Sequence, residues 1–111
     1  MITRSDEYIL LAVWRLENTD EGAYGSSVLD FLESFTDSSW SLAGVYAPLR
    51  RMAGFGLLLS STGLPTPHRG GRRKRLYTVT AQGQRVLHNA RSEYSRMWID
   101  VAFSISGARA S

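Results

Sequence analysis

The stretch that decides the fold is Gly70-Gly71-Arg72-Arg73-Lys74-Arg75-Leu76-Tyr77-Thr78-Val79-Thr80-Ala81-Gln82-Gly83. It opens with a glycine pair and a run of basic residues, and it continues as a strand that places Tyr77 and Val79 on one face. Thr80 then has the chemistry of a helix N-cap. A preceding strand is predicted at residues 57–62, so the glycine- and proline-rich residues between the two strands predict an exposed hairpin tip.

Helical patterns precede this hairpin. The first helix follows Ser5 as its N-cap and is apolar nearly all round as far as Leu16, which predicts that part of it meets a second subunit. A second helix is predicted over residues 25–34 and a third over residues 41–53. The third helix has an inner apolar stripe, which consists of Leu42, Val45, Tyr46, Leu49 and Met52.

The last helix begins after Thr80 and carries a long apolar seam. The seam recurs at three- and four-residue intervals, as in coiled coils, at Leu87, Ala90, Tyr94, Met97 and Val101. The element order predicts an α+β, mostly α fold: a winged helix-turn-helix with an added C-terminal dimerisation helix. Residues 1–80 form the predicted winged helix-turn-helix, residues 81–105 the C-terminal helix of the same compact unit, and residues 106–111 a frayed tail.

Charges are divided unevenly along the 111 residues. Residues 1–48 hold two basic and eight acidic side chains, whereas residues 49–111 hold eleven basic and two acidic ones. The net charge of +3 therefore conceals a strongly basic half. A basic half on a small domain predicts a nucleic-acid partner, with a solvated basic surface as the alternative.

Composition and motifs argue against several other classes of protein. The chain has no cysteine, which excludes a disulfide scaffold and a thiol nucleophile. It has no apolar run of about 20 residues and starts unlike a signal peptide, which predicts a cytoplasmic protein with no membrane partner. His68 and His88 do not stand at metal-ligand spacing, and no nucleophile elbow occurs, so we expect no enzyme, no metal and no cofactor.

Three stretches resemble the PadR family of bacterial transcriptional regulators. Gly22-Ala23-Tyr24-Gly25 is similar to the family's element at the start of the second helix, residues 43–57 to its recognition helix, and residues 70–83 to its wing. The resemblance covers most of the chain and favours the short subgroup with a single C-terminal dimerisation helix. The chain departs from the family where Ala47 replaces a proline and where Ala53 replaces an acidic residue.

The resemblance implies a sequence-specific DNA-binding transcriptional regulator, a dimeric repressor on a near-palindromic operator. The recognition helix 41–53 would enter the major groove, and the basic wing 63–75 would lie on the phosphate backbone or in the minor groove. The expected DNA-binding residues are Ser39, Ser41, Gly44, Tyr46, Ala47, Arg50, Arg51, Arg69, Arg72, Arg73, Lys74 and Arg75.

Alternatives stay open for some of these residues and for the function. Ser39 or Ser41 would serve instead as the cap of the recognition helix, and Tyr46 would serve instead as a wall of the core. The alternative function is a winged-helix protein-interaction module without DNA binding, which would use the basic wing on an acidic partner.

The expected homodimer interface combines the first and last helices. Its residues are Ile9, Val13, Leu87, Ala90, Tyr94, Met97, Trp98 and Val101. The resemblance also implies an aromatic-drug-responsive regulator, because similar family members bind flat aromatic drugs between subunits against a tryptophan of the last helix. Trp14 and Trp98 are the residues expected to hold such a small aromatic effector; the alternative is that they belong to the core.

Overall fold

The computed structural model describes residues 2–62 and 74–102. Within these ranges the elements are α1 Arg4–Leu16, α2 Gly25–Phe35, α3 Leu42–Gly54, β1 Leu58–Thr62, β2 Arg75–Val79 and α4 Ala81–Met97. This order confirms the predicted mostly α winged-helix fold. The tip of the predicted wing and the predicted tail 106–111 lie outside the described residues. In the described part of the chain, no helix has the length and apolar character that a membrane span requires.

The first helix begins two residues earlier than its sequence pattern suggests. Thr3, not Ser5, is the N-cap: its Oγ1 accepts a hydrogen bond from the Asp6 N–H at 3.1 Å. The Asp6 carboxylate in turn accepts a hydrogen bond from the Thr3 N–H at 3.0 Å. The prediction of Ser5 as cap is wrong because Thr3 has an acidic residue three positions later, which completes a reciprocal capping box.

The core lies where the three N-terminal helices meet one face of the hairpin. Its members are Ile9, Leu10, Ala12, Val13, Ala23, Val28, Leu32, Val45, Leu49, Met52, Leu57, Leu58, Tyr77 and Val79. Burial of each large aliphatic side chain in this set contributes about 1.5–3 kcal/mol. Leu42 and Tyr46, which the sequence placed on the inner stripe of α3, are instead 42% and 38% exposed.

The antiparallel hairpin is attached to the connection between α1 and α2. β1 pairs with β2 from Leu58 opposite Val79 to Thr62 opposite Arg75. The Val79 N–H also donates to Glu17 Oε1 at 2.8 Å, immediately after α1. The Tyr77 N–H donates to the Ala23 carbonyl at 2.8 Å. These bonds fix the base of the wing to the helical part of the domain.

The last helix is capped as predicted but is shorter than predicted. Thr80 Oγ1 accepts a hydrogen bond from the Gly83 N–H at 3.0 Å, and the Thr80 hydroxyl donates to the Gly56 carbonyl at 2.6 Å. The helix ends at Met97, so the predicted helix 81–105 is wrong over residues 98–102, and residues 103–105 lie outside the described part of the chain. Trp98 is the C-cap of the helix, and Asp100, in the turn that follows, adopts the left-handed conformation with φ of 65°, which aspartate tolerates better than most residues.

Candidate nucleic-acid interface

The recognition helix α3 begins at a serine cap. Ser41 Oγ accepts a hydrogen bond of 3.0 Å from the Gly44 N–H, whereas Ser39 lies exposed in the preceding loop. The open question between the two serines is therefore settled in favour of Ser41 as the cap. The Ser39 hydroxyl therefore does not cap α3.

The outward face of α3 is small near its start and basic towards its end. Three side chains of the helix face the core: Val45, Leu49 and Met52. Ala43, Gly44 and Ala47 are exposed, and Arg50 is exposed one turn later. Small residues allow a helix backbone to approach base edges closely, and an arginine at the far end suits a phosphate oxygen.

Tyr46 serves as a packing residue and as a surface residue at once. Its ring lies against Gly25 at the start of α2, where an added Cβ would come within 2.7 Å of the Tyr46 hydroxyl oxygen and closer still to the ring. The side chain nevertheless remains 38% exposed. The glycine is therefore required by the close approach of the ring, which fixes the distance between the two helices of the helix-turn-helix.

Arg51 is engaged with α1. Its Nη2 donates to Oδ1 of Asp6 at 2.5 Å, and the Asp6 side chain is only 5% exposed. Burial raises the pKa of Asp6, but the Thr3 N–H and the Arg51 guanidinium together outweigh burial and hold that pKa below its ordinary value. The Arg51 side chain is 41% exposed, so only part of its guanidinium remains open to a second partner.

Charges of the recognition helix and of the wing base both act on Tyr77. Burial raises the pKa of the Tyr77 hydroxyl, while the guanidinium groups of Arg75 and Arg50 both act in the opposite direction. Cations from two different elements therefore act on one hydroxyl. Arg75 also donates from Nη1 to Ser60 Oγ at 3.3 Å, across the strand pair. Arg50 of α3 and Arg75 of β2 are both exposed, and together with Lys74 we call them the basic edge.

Lys74 is positioned by residues that the sequence pattern did not single out. Its Nζ lies 4.1 Å from the ring centroid of Tyr24, a cation–π contact, and the Tyr24 hydroxyl donates to Glu21 Oε2 at 3.2 Å. The Gly-Ala-Tyr-Gly element indicated the start of α2, but nothing in its spacing indicated the contact with Lys74. Arg69, Arg72 and Arg73, the other predicted wing cations, lie outside the described residues.

Two residues predicted at a dimer interface belong to the core instead. Ile9 and Val13 have 0% exposed surface, so the prediction that they contact a second subunit is wrong. The reason is helical phase: the exposed ridge of α1 is formed by Tyr8, Leu11 and Trp14. The C-terminal half of α4 is open, in agreement with an interface there, although Leu87 and Ala90 are partly buried within the chain.

An open cleft of about 430 Å³ lies between α1 and α4. Tyr8, Leu11 and Trp14 form its α1 side, and Tyr94 lies on the α4 side. The Arg4 guanidinium lies 4.2 Å from the Tyr94 ring centroid, a cation–π contact across the cleft. Of the two tryptophans predicted to hold a ligand, the structure places Trp14 in this cleft, whereas Trp98 is outside it and packs edge to face on Tyr94.

Among residues 2–62 and 74–102, no group of histidine and acidic residues has the arrangement of a metal site. His88 lines the α1–α4 cleft, and His68 lies outside the described residues.

Several solved structures with the same fold are transcriptional regulators, although neither a family model nor a curated protein matches the chain. A PadR family transcription regulator from Clostridium difficile R20291 has 21% identity and a TM-score of 0.67, with 86% of this chain and 91% of that chain covered. A PadR-like transcription factor from Bacteroides fragilis has 18% identity and a TM-score of 0.66, with coverage of 83% and 81%. Bacillus subtilis PadR, solved in complex with operator DNA, has 15% identity and a TM-score of 0.63. The match covers 98% of this chain and 54% of that chain.

The architecture is that of a winged helix-turn-helix protein with one additional C-terminal helix. More closely, it is the fold of the PadR-type regulators, as the resemblance in the wing and recognition helix predicted.

Proposed function

We propose that the chain is a transcriptional regulator of the PadR family that binds double-stranded DNA as a homodimer and represses transcription from a near-palindromic operator. The observation that carries this proposal is that the recognition helix and the wing base both present exposed arginines, Arg50 and Arg75, and that the charges of both act on the Tyr77 hydroxyl. The Bacillus subtilis neighbour solved with operator DNA supports the same use of the fold.

In the proposed complex, α3 lies in the major groove with Ala43 and Ala47 towards the base edges. Arg50 contacts the phosphate backbone at the end of the helix, and Lys74 and Arg75 continue that contact along the wing. The described part of α3 offers no asparagine or glutamine for adenine readout. Sequence preference therefore comes from Ser39, from apolar contacts of the alanines and from groove shape.

The homodimer is supported by the open apolar surface of α1 and α4. Tyr94, Met97 and Val101 are between 45% and 73% exposed, and Leu11 on α1 is 47% exposed. Pairing of two chains through these surfaces buries them and presents two copies of α3 to successive major grooves, about 34 Å apart. Two-fold symmetry then requires a near-palindromic operator.

A small aromatic effector remains a second proposal within the same class of regulator. The α1–α4 cleft is lined mainly by apolar and aromatic side chains, and its volume of about 430 Å³ falls in the range of small-molecule sites. Trp14 and Tyr8 offer rings for stacking on a flat ligand. Trp98 would join them only if the partner subunit brings it to the same place.

The decisive experiment is a selection of bound sequences from random double-stranded DNA, followed by titration of the selected sequence at increasing salt. We expect an inverted repeat with half-site centres one helical turn apart and an affinity that falls steeply with salt. Enrichment of no motif, together with the absence of binding at 50 mM salt, would contradict DNA regulation. It would favour the alternative, a protein-interaction module that uses the basic edge on an acidic partner.

A further inference from the structure

A second apolar groove, of about 210 Å³, lies between α1 and α2, outside the proposed DNA-binding edge and the α1–α4 cleft. Its walls are mainly apolar and aromatic, and its lining residues are Tyr8, Leu11, Arg15, Phe31, Leu32, Phe35 and Thr36. The Phe31 and Phe35 rings stack with their centroids 4.4 Å apart, yet Phe35 remains 67% exposed. An aromatic pair held in fixed geometry and left open to solvent is typical of a surface that binds another protein.

Arg15 is the single charged residue that lines this groove. Its guanidinium lies 5.6 Å from the Phe31 ring centroid and 5.9 Å from the Phe35 ring centroid. The one ion pair recorded in the described part of the chain joins Arg51 and Asp6, so Arg15 has no carboxylate partner there. The groove therefore suits an apolar segment that carries one negative charge.

The end of α4 and the turn after it have this composition. From Glu93 onwards, every described residue is exposed, and Tyr94 is the last residue of α4 that lines the α1–α4 cleft. Met97 is 73%, Ile99 66% and Val101 50% exposed. Asp100 is the only charged residue of the segment 97–102, and it lies between two of these apolar side chains.

We propose that segment 97–102 of one copy occupies the α1–α2 groove of a second copy, where Asp100 pairs with Arg15. This inference rests on the proposed homodimer and adds to it a defined contact for the end of the α4 seam, where Met97 and Val101 lie. Tyr8 and Leu11 line the groove and the α1–α4 cleft alike, so the contact continues the surface already assigned to dimerisation. In a two-fold symmetric dimer this contact occurs twice. It then buries the Phe31–Phe35 pair of each copy and places a carboxylate beside the Arg15 guanidinium of each copy.

The test is a charge reversal measured by the monomer–dimer dissociation constant of the full chain in sedimentation equilibrium. Arg15→Glu alone and Asp100→Arg alone each replace two attractions by two repulsions, and each should weaken dimerisation about tenfold. An equimolar mixture of the two variants should form a heterodimer of near wild-type affinity, because each of its two contacts again joins opposite charges. A pair formed within one chain would not be restored by mixing.

A matched control is Asp30→Arg, which reverses an exposed charge on α2 away from the lining residues and should leave the constant unchanged. Circular dichroism confirms that each variant is folded. Because the chain has no cysteine, Phe35→Cys combined with Ile99→Cys provides a second measurement, in which oxidation should give a covalent dimer.

Three outcomes overturn the proposal in distinguishable ways. If the wild type dimerises and neither reversal changes its constant, the groove contact is wrong, while operator binding and the α4 seam stand. If each reversal weakens the dimer but mixing does not restore it, the pairing of Asp100 with Arg15 is wrong. If the wild type is monomeric throughout, the proposed homodimer fails together with this contact.

Discussion

Arg51 of α3 is bound through its guanidinium to Asp6 of α1, with 2.5 Å between Nη2 and Oδ1. Asp6 also completes the capping box of α1 with Thr3. One carboxylate therefore stabilises the start of α1 and fixes the flank of the recognition helix to it. Neighbouring arginines on α3 thus have different environments, because Arg50 is exposed as part of the basic edge whereas Arg51 forms an ion pair with Asp6 of α1.

Replacing Asp6 by asparagine should lower the free energy of unfolding by about 1.5–3 kcal/mol, the range for hydrogen bonds to charged groups. The amide keeps the size of the side chain but removes the charge that attracts Arg51. Urea unfolding followed by circular dichroism measures the loss. Asp30→Asn, at an exposed position of α2, is the matched control and should change stability by less than about 0.5 kcal/mol. Equal stability of the two variants would contradict the structural role of Asp6.

The same carboxylate predicts a pH dependence of stability. Because folding lowers the pKa of Asp6 from its ordinary value of 3.8, the folded state binds this proton less readily than the unfolded state does. Its stabilising contribution is therefore fully present above that ordinary value and is lost as the pH falls through the lower pKa of the folded state. Unfolding midpoints measured between pH 6 and pH 2 should fall less steeply in Asp6→Asn than in the wild type. Parallel curves would show that Asp6 is not the responsible group.

The close approach of Tyr46 to Gly25 predicts a pair of non-additive substitutions. Gly25→Ala places a methyl group against the tyrosine ring and should destabilise the domain by about 1–3 kcal/mol, the usual cost of overpacking. In a Tyr46→Ala background the same change should cost much less, because the ring is gone. Gly54→Ala, where an added Cβ meets nothing within 4 Å, is the control. Additive losses in the double variant would contradict the proposed contact.

Much of the fold was predictable because local patterns agree with one another along the chain. Alternation in β2, the Thr80 cap and the apolar stripes of α2 and α3 each indicated the observed element. The errors have local causes. Because α1 is apolar on nearly all sides, its sequence does not show which face is buried, and this is why the prediction of Ile9 and Val13 at an interface fails. The apolar seam of α4 continues to Val101, beyond the last helical residue Met97, so its spacing does not show where the helix ends.

The candidate site was less predictable than the fold, because its contacts join residues distant in the sequence. Composition identifies a basic half, but the pairing of Asp6 with Arg51 spans 45 positions and has no local signature. The cation–π contact between Lys74 and Tyr24 likewise depends on how the hairpin is attached to the α1–α2 connection. Only the Thr-x-x-Asp pattern at the start of α1 could have indicated that Asp6 has a structural role.

DNA binding should depend on Arg50 more than on Arg51. Arg50→Gln removes a phosphate contact, so the affinity for the selected operator should fall, and the slope of log affinity against log salt should become shallower by about one unit. Arg51→Gln should change that slope much less and should mainly reduce stability, because Asp6 already engages its guanidinium. Fluorescence anisotropy over a salt series measures the two slopes. Equal slopes for the two variants would show that Arg51 contacts DNA as much as Arg50 does.

Tryptophan fluorescence can locate an aromatic effector, because each of the three tryptophans has a different environment. Trp14 lines the α1–α4 cleft, Trp40 donates its Nε1 hydrogen to Thr36 Oγ1 at 2.8 Å, and Trp98 lies at the end of α4. If a planar aromatic dye stacks in the cleft, it should quench the wild type and Trp40→Phe alike and lose most of its effect in Trp14→Phe. Loss of quenching in Trp98→Phe as well would indicate that the dye lies between subunits, where the partner contributes its own Trp98. Quenching that persists in both of these variants, or none in the wild type, would contradict an effector site on these helices and leave regulation to DNA binding alone.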